Sequence, residues 1–344
     1  MIKINRFLVV GGDLRNVELV KLLKKDGKTV YTYGMNVNSN GNLEELLEDV
    51  DAVVGPIPFS RDGRTINNDF FNNSKNNLLK NEIQINELLE KMRRKILIAG
   101  NISEDVKSVA KKYDIKVIDI MKSEKLAILN TIATAEGTIE LLIANTNTIL
   151  FDSKVLILGF GRVAKTLAQR LKGLSKNVAC ASRETDELAW IEVLGYEKID
   201  LNELKRLNEF KESSESNESN ESRITNNVLK NYDIIINTIP SLILNSEMLK
   251  NVKKDVLLVD LASKPGGIDK VAAENQNLKL IHALGLPGKV APLSSAKFIK
   301  DVIERDAGIW GRSLKSLFLC KNCISKNLQK YCKRYNTKNI ITGE

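Results

Sequence analysis

"VLILGFGRVAKTLAQRL", residues 155–171, runs from four apolar residues through a glycine turn into a helix-like segment. Val155–Leu158 reads as a buried strand. Gly159-Phe160-Gly161-Arg162-Val163-Ala164 follows with the G-x-G-x-x-A spacing of a turn that holds a dinucleotide's pyrophosphate. At that spacing Gly159 permits the tight bend, Gly161 lets backbone approach the phosphates, and Ala164 allows close packing of helix on strand. The helix start adds free N–H groups and a positive dipole end. The cofactor-contacting residues expected here are Gly159, Phe160, Gly161, Arg162 and Val163. Alone the turn is weak evidence. It gains weight because a strand precedes it, a helix follows, and a further strand ends about twenty residues later at "ACASR", as the fingerprint requires.

An NAD site usually has Asp or Glu at that strand end. Here Ser182 and Arg183 stand there, a hydroxyl and a guanidinium suited to a 2′-phosphate, so NADP is favoured over NAD. Glu184, one position on, pulls the other way. Further along, "NTIPSLIL" (237–244) and "DLASKPGG" (260–267) each follow an apolar strand, where a nicotinamide and its ribose are usually cradled. Asn237, Thr238, Pro240, Ala262 and Ser263 are the candidates there, and Lys264 could face an acidic substrate.

The turn comes late, after roughly 150 residues that open on a different glycine turn, "FLVVGGDLRN". Strand signals at "FLVVGG", "KTVYTYG", "DAVVGP", "KILIAG" and "IKVIDI" are interleaved with helical ones, including residues 14–25, "EIQINELLEKM" and "SEDVKSVAKKY". Residues 60–80, rich in Asn, Asp and Ser, read as a long loop. Alternation of this kind implies a parallel sheet covered on both faces. "GGDLRN" lacks a third spaced glycine and reads as a tight turn. Asp13 and Arg15 nevertheless sit at a strand's carboxyl end, where α/β folds place ligands. Arg15 could grip a carboxylate in a bidentate pair or stand solvated on the helix.

The reading is therefore an α/β protein with two doubly wound Rossmann-like domains joined by a long helix, arranged like 2-hydroxyacid dehydrogenases. Its expected divisions are an N-terminal domain over 1–128 completed by a return helix at 293–308, a connecting helix over 129–150, and a nucleotide domain over 151–292. The second domain shows five strands, "KVLILGFG", "NVACAS", "DIIINTIP", "DVLLVDLAS" and "LKLIHALG". A low-complexity Asn-Glu-Ser insertion at 208–224 is expected to be disordered.

The formal charge of +9 does not point to nucleic acid. Between Gly311 and Glu344 lie eight basic residues and one acidic, so the first 310 residues carry only +2. Cys320, Cys323 and Cys332 form C-x2-C-x8-C in that tail at 309–344. A fourth ligand and any histidine are missing, so no metal site is expected. Cys180 reads as a small core residue. No uncharged apolar run of about 18 residues appears, so no membrane span is expected. The N-terminus lacks a cleavage pattern, which leaves a cytoplasmic protein as the expectation.

Taken together, "GGDLRN", "NTIATAEGTIELLI", "LGFGRVAKTLAQRL", "ASR", "INTIPSLIL", "DLASKPGG" and "GLPGKVAP" resemble the dipicolinate synthase A-subunit family over about residues 5–303. The resemblance implies oxidation of a dihydrodipicolinate-type precursor from the lysine pathway to dipicolinate, the pyridine dicarboxylate of bacterial endospores. NADP would accept the hydride. It also implies a smaller, flavoprotein-like B-subunit, a homo-oligomeric assembly, and no nucleic-acid or membrane partner. A dianionic substrate needs cations, and Arg15, Lys264, Arg61 and Arg64 are the ones on loops. Thr134, Glu136 and Gly137, on the connecting helix, would offer N–H groups and a carboxylate, with Glu136 as the proton acceptor during aromatisation.

The insertion and the basic tail depart from the family pattern. His282, the sole histidine, belongs to none of its strings and reads as a partly buried strand residue. Two other functions stand beside this one. A 2-hydroxyacid dehydrogenase would need His282 as its acid/base. A non-catalytic cofactor sensor would depend on the tail.

Overall fold

In the computed structural model the described residues are 4–35, 41–69, 82–209 and 228–306. The cysteine-bearing tail and, apart from its first two residues, the expected Asn-Glu-Ser insertion lie outside them. β1 (Arg6–Val10), β2 (Thr29–Tyr33), β3 (Ala52–Val54), β4 (Ile96–Ala99) and β5 (Lys116–Asp119) form an all-parallel sheet in the order β2-β1-β3-β4-β5. β6 (Lys154–Leu158), β7 (Asn177–Ser182), β8 (Glu197–Asp200), β9 (Ile234–Asn237), β10 (Leu257–Asp260) and β11 (Lys279–His282) form a second, in the order β11-β10-β9-β6-β7-β8. These are the two common doubly wound orders. Each reverses once, between β1 and β3 and between β6 and β9, and a crevice opens at the carboxyl ends of the strands there.

The central strands read as continuous apolar runs because helices cover both faces of a parallel sheet. Val155–Leu158 and Ile234–Ile236 are essentially inaccessible. Burying each such side chain stabilises the fold by about 1.5–3 kcal/mol. The second sheet has six strands where the sequence shows five. β8 is an edge strand with the half-polar sequence Glu-Lys-Ile-Asp, so it carries no buried-strand signal. The short helix Leu43–Glu48 is likewise additional.

The connecting helix spans Glu124–Asn145, beginning five residues before the expected boundary. Ser123 fixes its start, its hydroxyl accepting from the N–H of Leu126. By length and composition alone this helix could cross a membrane. In the fold it is wedged against the nucleotide domain, with Leu126, Ala133, Ala135, Gly137 and Leu142 buried. It runs alongside the helix Arg162–Leu171, tied by Glu124–Arg162 at 2.6 Å and by the hydroxyls of Thr131 and Thr166 at 2.7 Å. The return helix, Pro292–Asp306, packs on the helix Leu14–Lys25 of the first domain. Lys300 there pairs with Asp26 at 2.6 Å, and Arg305 donates to the Ser123 hydroxyl at 2.9 Å. The chain thus crosses between domains twice.

Candidate functional site

Gly159 leaves β6 with φ +95°, a backbone that L side chains rarely adopt. A Cβ there would stand 2.6 Å from the Thr238 hydroxyl and 2.9 Å from Ile239. Gly161 differs. Its φ is an ordinary −76°, and an added Cβ would meet nothing within 4 Å. No contact inside the protein demands glycine at 161, so the bare backbone there suits a ligand. Gly161 is also the N-cap of the helix Arg162–Leu171 and supplies no side chain to it. The first-turn N–H groups of such a helix lack intrahelical partners and point outward. This cradle fits a dinucleotide pyrophosphate, presented by the backbone of Gly159 to Val163. The Phe160 ring faces the core instead, edge-on to Tyr196. The Arg162 side chain goes to Glu124.

At the end of β7, Ser182 is buried. Its hydroxyl donates to Glu187 at 2.6 Å and accepts from the Glu184 N–H at 3.2 Å. Arg183 is mostly exposed, its Nε 2.9 Å from Glu184 Oε1. Of the two, only Arg183 can swing onto a ligand without breaking buried bonds.

The loops after β9 and β10 are fused by a residue absent from the candidates read in the sequence. Asp260 is fully buried, and its carboxylate accepts from Asn237 Nδ2 (2.8 Å), the Ala262 N–H (3.1 Å) and the Gly267 N–H (2.9 Å). Asn237 closes its own turn through Ile239. The Thr238 hydroxyl donates to the Leu158 carbonyl beside the glycine turn, at 2.8 Å. Asn237 and Thr238 therefore shape the crevice and do not present their side chains to it. Pro240, Ser263 and Lys264 are exposed on its rim, and Ala262 is buried beneath. The signal for Asp260 was available: a lone acid closing the buried run "VLLVD". His282 ends the edge strand β11 with Nδ1 3.9 Å from Asp260 Oδ2, too far for a hydrogen bond.

In the first domain, Asp13 caps the helix Leu14–Lys25 and engages Arg15 through Nε (2.9 and 3.0 Å) and Nη2 (2.6 Å). Arg15 Nη2 also donates to the Ile57 carbonyl at 2.6 Å, and the residue is only 6 % exposed. It is a buried cation, not a solvated one. It lines a small cavity with Asn16, Leu19, Gly55, Ile57, Ile120 and Ile299. Arg15 follows β1 and Gly55 follows β3, so the cavity sits at the first sheet's switch point. The turn Leu286–Val290 of the second domain closes over it: a Cβ on Gly288 would meet Asp13 Oδ2 at 2.6 Å and Arg15 Nε at 3.1 Å.

Gly137 brings the connecting helix against the same turn, at Leu286 and Val290. The Thr134 hydroxyl donates to the Asn130 carbonyl. Asp13, Arg15 and Gly137 are thus gathered around one turn, while the Thr134 hydroxyl is spent within its own helix. Glu136 is not among them. It is exposed and lies 3.9 Å from Arg170, which is eight residues, about 12 Å of helix rise, beyond Arg162. Arg61 pairs with Asp69 at 3.2 Å, and Arg64 is exposed on the Asp62 turn. Cys180 is core, its thiol pushed up to about 12 by burial, so it is not a nucleophile. Among the described residues no cluster of His, Cys, Asp and Glu could hold a metal.

Two Rossmann-like parallel-sheet domains, with a dinucleotide turn at the switch point of the second, define a nicotinamide-dependent oxidoreductase of the dehydrogenase type. Residues 127–330 match the family model "Alanine dehydrogenase/PNT, C-terminal domain", and residues 6–121 match the model of the N-terminal domain of the dipicolinate synthase A-subunit. Over its first domain the chain belongs to the dipicolinate synthase A-subunit family, and the likeness extends along its length. It is 28% identical over 308 residues to the dipicolinate synthase A-subunit of Bacillus subtilis (strain 168), spanning 87% of this chain and 95% of that one. Among solved structures, the dipicolinate synthase A-subunit of Bacillus halodurans superposes with TM-score 0.72 at 26% identity, covering 89% of this chain and 98% of that one. The corresponding crystal structure from Bacillus subtilis gives TM-score 0.69 at 27% identity, covering 90% and 97%.

Proposed function

We propose that this chain oxidises a dihydrodipicolinate-type precursor from the lysine pathway to dipicolinate, with NADP as acceptor and a smaller partner, the B-subunit, in the cytoplasm during sporulation. The observation that carries the reading is the buried Asp13–Arg15 pair beneath Gly288. It puts a fixed cation at the substrate domain's switch point, and the likeness to dipicolinate synthase extends through that domain. Arg15, whose Nε and Nη2 are taken by Asp13 and the Ile57 carbonyl, holds one substrate carboxylate through Nη1. Lys264, on the loop clamped by Asp260, attracts the other from the opposite rim. The Leu286–Val290 turn excludes water from between them. With its pyrophosphate on the backbone of Gly159–Val163, the cofactor would supply a nicotinamide to accept the ring's hydride, while the second hydrogen leaves as a proton to water. The exposed position of Glu136 makes it a partner of Arg170, and the proton needs no side chain of its own.

Mixing the full chain with a candidate B-subunit, NADP and freshly made precursor tests this. The ultraviolet band of a pyridine dicarboxylate should rise together with that of NADPH. No reduction of NADP in that mixture would reject the assignment.

The choice of NADP rests on Arg183. Its charge-assisted bond to a 2′-phosphate is worth about 1.5–3 kcal/mol, the upper end being out of reach for so exposed a side chain. Arg183→Ala should therefore weaken NADP about tenfold and leave NAD nearly unchanged in a direct titration. Equal weakening of both, or of neither, would withdraw the choice of NADP.

The 3.9 Å approach of His282 to Asp260 is the one observation favouring a hydroxyacid dehydrogenase. His282→Ala should cost little turnover beyond any change in fold. A fall of about a thousandfold, the scale of a lost general acid/base, would favour that rival.

A further inference from the structure

The helix Thr185–Val193, which follows β7 and Arg183, is apolar on both sides. Ile191 is buried in one core with Leu167 and Leu171 of the helix Arg162–Leu171, and Leu188 packs against that core. The opposite face is no less apolar. Trp190 is 56% exposed, Val193 75% and Leu194 44%, and Ala189 is exposed beside them. Spaced at i, i+3 and i+4, these side chains form one stripe. A helix that is apolar all round belongs in a protein interior, yet nothing among the described residues covers this face. Carboxylates surround it. Residues 184–197 carry five acids and no base. The flanking Arg183 and Lys198 pair with Glu184 and Glu192, and Lys172 donates to the Leu194 carbonyl. Asp186, Glu187 and Glu197 are left without an ion pair among the described residues.

We propose that this stripe is the docking site of the chain's own basic segment, residues 309–334. That segment is the chemical complement of the helix. Its seven bases, with no acid among them, are interleaved with Trp310, Leu314, Leu317, Phe318, Ile324 and Leu328. It brings apolar side chains to the stripe and cations to the carboxylates around it. The return helix delivers it to the right side of the molecule. That helix ends at Asp306, where Arg305 holds Ser123 and the adjoining Glu124 holds Arg162, at the start of the helix Arg162–Leu171. Lys172, just past the far end of Arg162–Leu171, reaches Leu194 of the stripe. The gap is therefore ten residues of helix, about 15 Å, plus one spacing between packed helices, about 10 Å. About eight extended residues span it, so residues 307–314 suffice. A separate partner of the same chemistry would have to displace a segment that its tether holds at roughly millimolar effective concentration.

The chain has two tryptophans, Trp190 and Trp310, so Trp310→Phe leaves the stripe's own residue as the sole reporter. In that full chain Trp190 should resist acrylamide quenching and emit to the blue of a solvated indole. Adding Lys315→Glu, Lys321→Glu and Lys326→Glu should raise the quenching constant severalfold and shift the emission to the red, with the circular dichroism of the fold retained. The protection should not depend on protein concentration. Equal quenching in the two chains would overturn the proposal, because Trp190 would then be open in both, or covered by something that does not need the basic segment. Protection that grows with concentration would overturn it in favour of a second copy of this chain. Should the reversed charges disturb the fold, a chain ended after Gly308, whose only tryptophan is again Trp190, makes the same comparison.

Discussion

Gly161→Val should fold as well as the parent and bind NADP at least a hundredfold more weakly. The structure separates the two glycines of the turn on physical grounds. At Gly159 a side chain would suffer both a positive φ and contact with Thr238 at 2.6 Å, so substitution there costs the fold itself. At Gly161 the backbone is ordinary and the space empty, so a valine harms only what must come close. The pyrophosphate would lose at least one or two charge-assisted bonds to backbone N–H groups, each worth about 1.5–3 kcal/mol. A hundredfold is about 2.7 kcal/mol. A thermal melt paired with an NADP titration checks the contrast. Retained affinity in Gly161→Val would mean that the cofactor lies elsewhere, whatever the turn's spacing suggests.

The glycine turn was legible because its geometry is backbone geometry. Gly159 and Ala164 are demanded by approach distances fixed by spacing along the chain, and spacing is what a sequence displays. Parallel strands announce themselves for a similar reason, since burial on both faces leaves runs such as Val155–Leu158 no room for polar residues. β8 escaped notice because an edge strand is free of that demand.

Side-chain roles were less legible, because they depend on partners distant in sequence. Ser182 looks like a phosphate ligand until Glu187 is seen accepting its hydrogen bond. Glu136 looks like a base on a motif-bearing helix until Arg170 is found beside it, well away from the glycine turn. Asp260, which joins Asn237 to the loop 261–267, is a single acid among many in the sequence. Asn130 is the sharper case. Among the described residues, only the three-dimensional pairing of the other buried side-chain polar atoms makes the unpaired Oδ1 on this connecting-helix residue conspicuous.

Arg15 gives the other large effect, and its difficulty is that two roles predict the same loss. Arg15→Met would remove the proposed contact to the substrate carboxylate, and it would also strand Asp13, whose side chain is 14% exposed, without its counter-charge. Breaking a buried pair from one side typically costs about 3–5 kcal/mol, so the single variant should melt markedly lower and turn over very slowly. The double variant Asp13→Asn, Arg15→Met separates the roles. With no charge left unpaired, much of the lost stability should return, because replacing both partners of a buried pair is often nearly neutral. Turnover should not return. Loss of the charge-assisted contact from Nη1 to substrate, about 1.5–3 kcal/mol, leaves kcat/KM down at least tenfold while NADP affinity stays at the parent value. A double variant that regains both stability and turnover would show that the pair only braces the junction beneath Gly288. The substrate's carboxylate would then have to be sought at the exposed cations, Lys264 first, across the crevice.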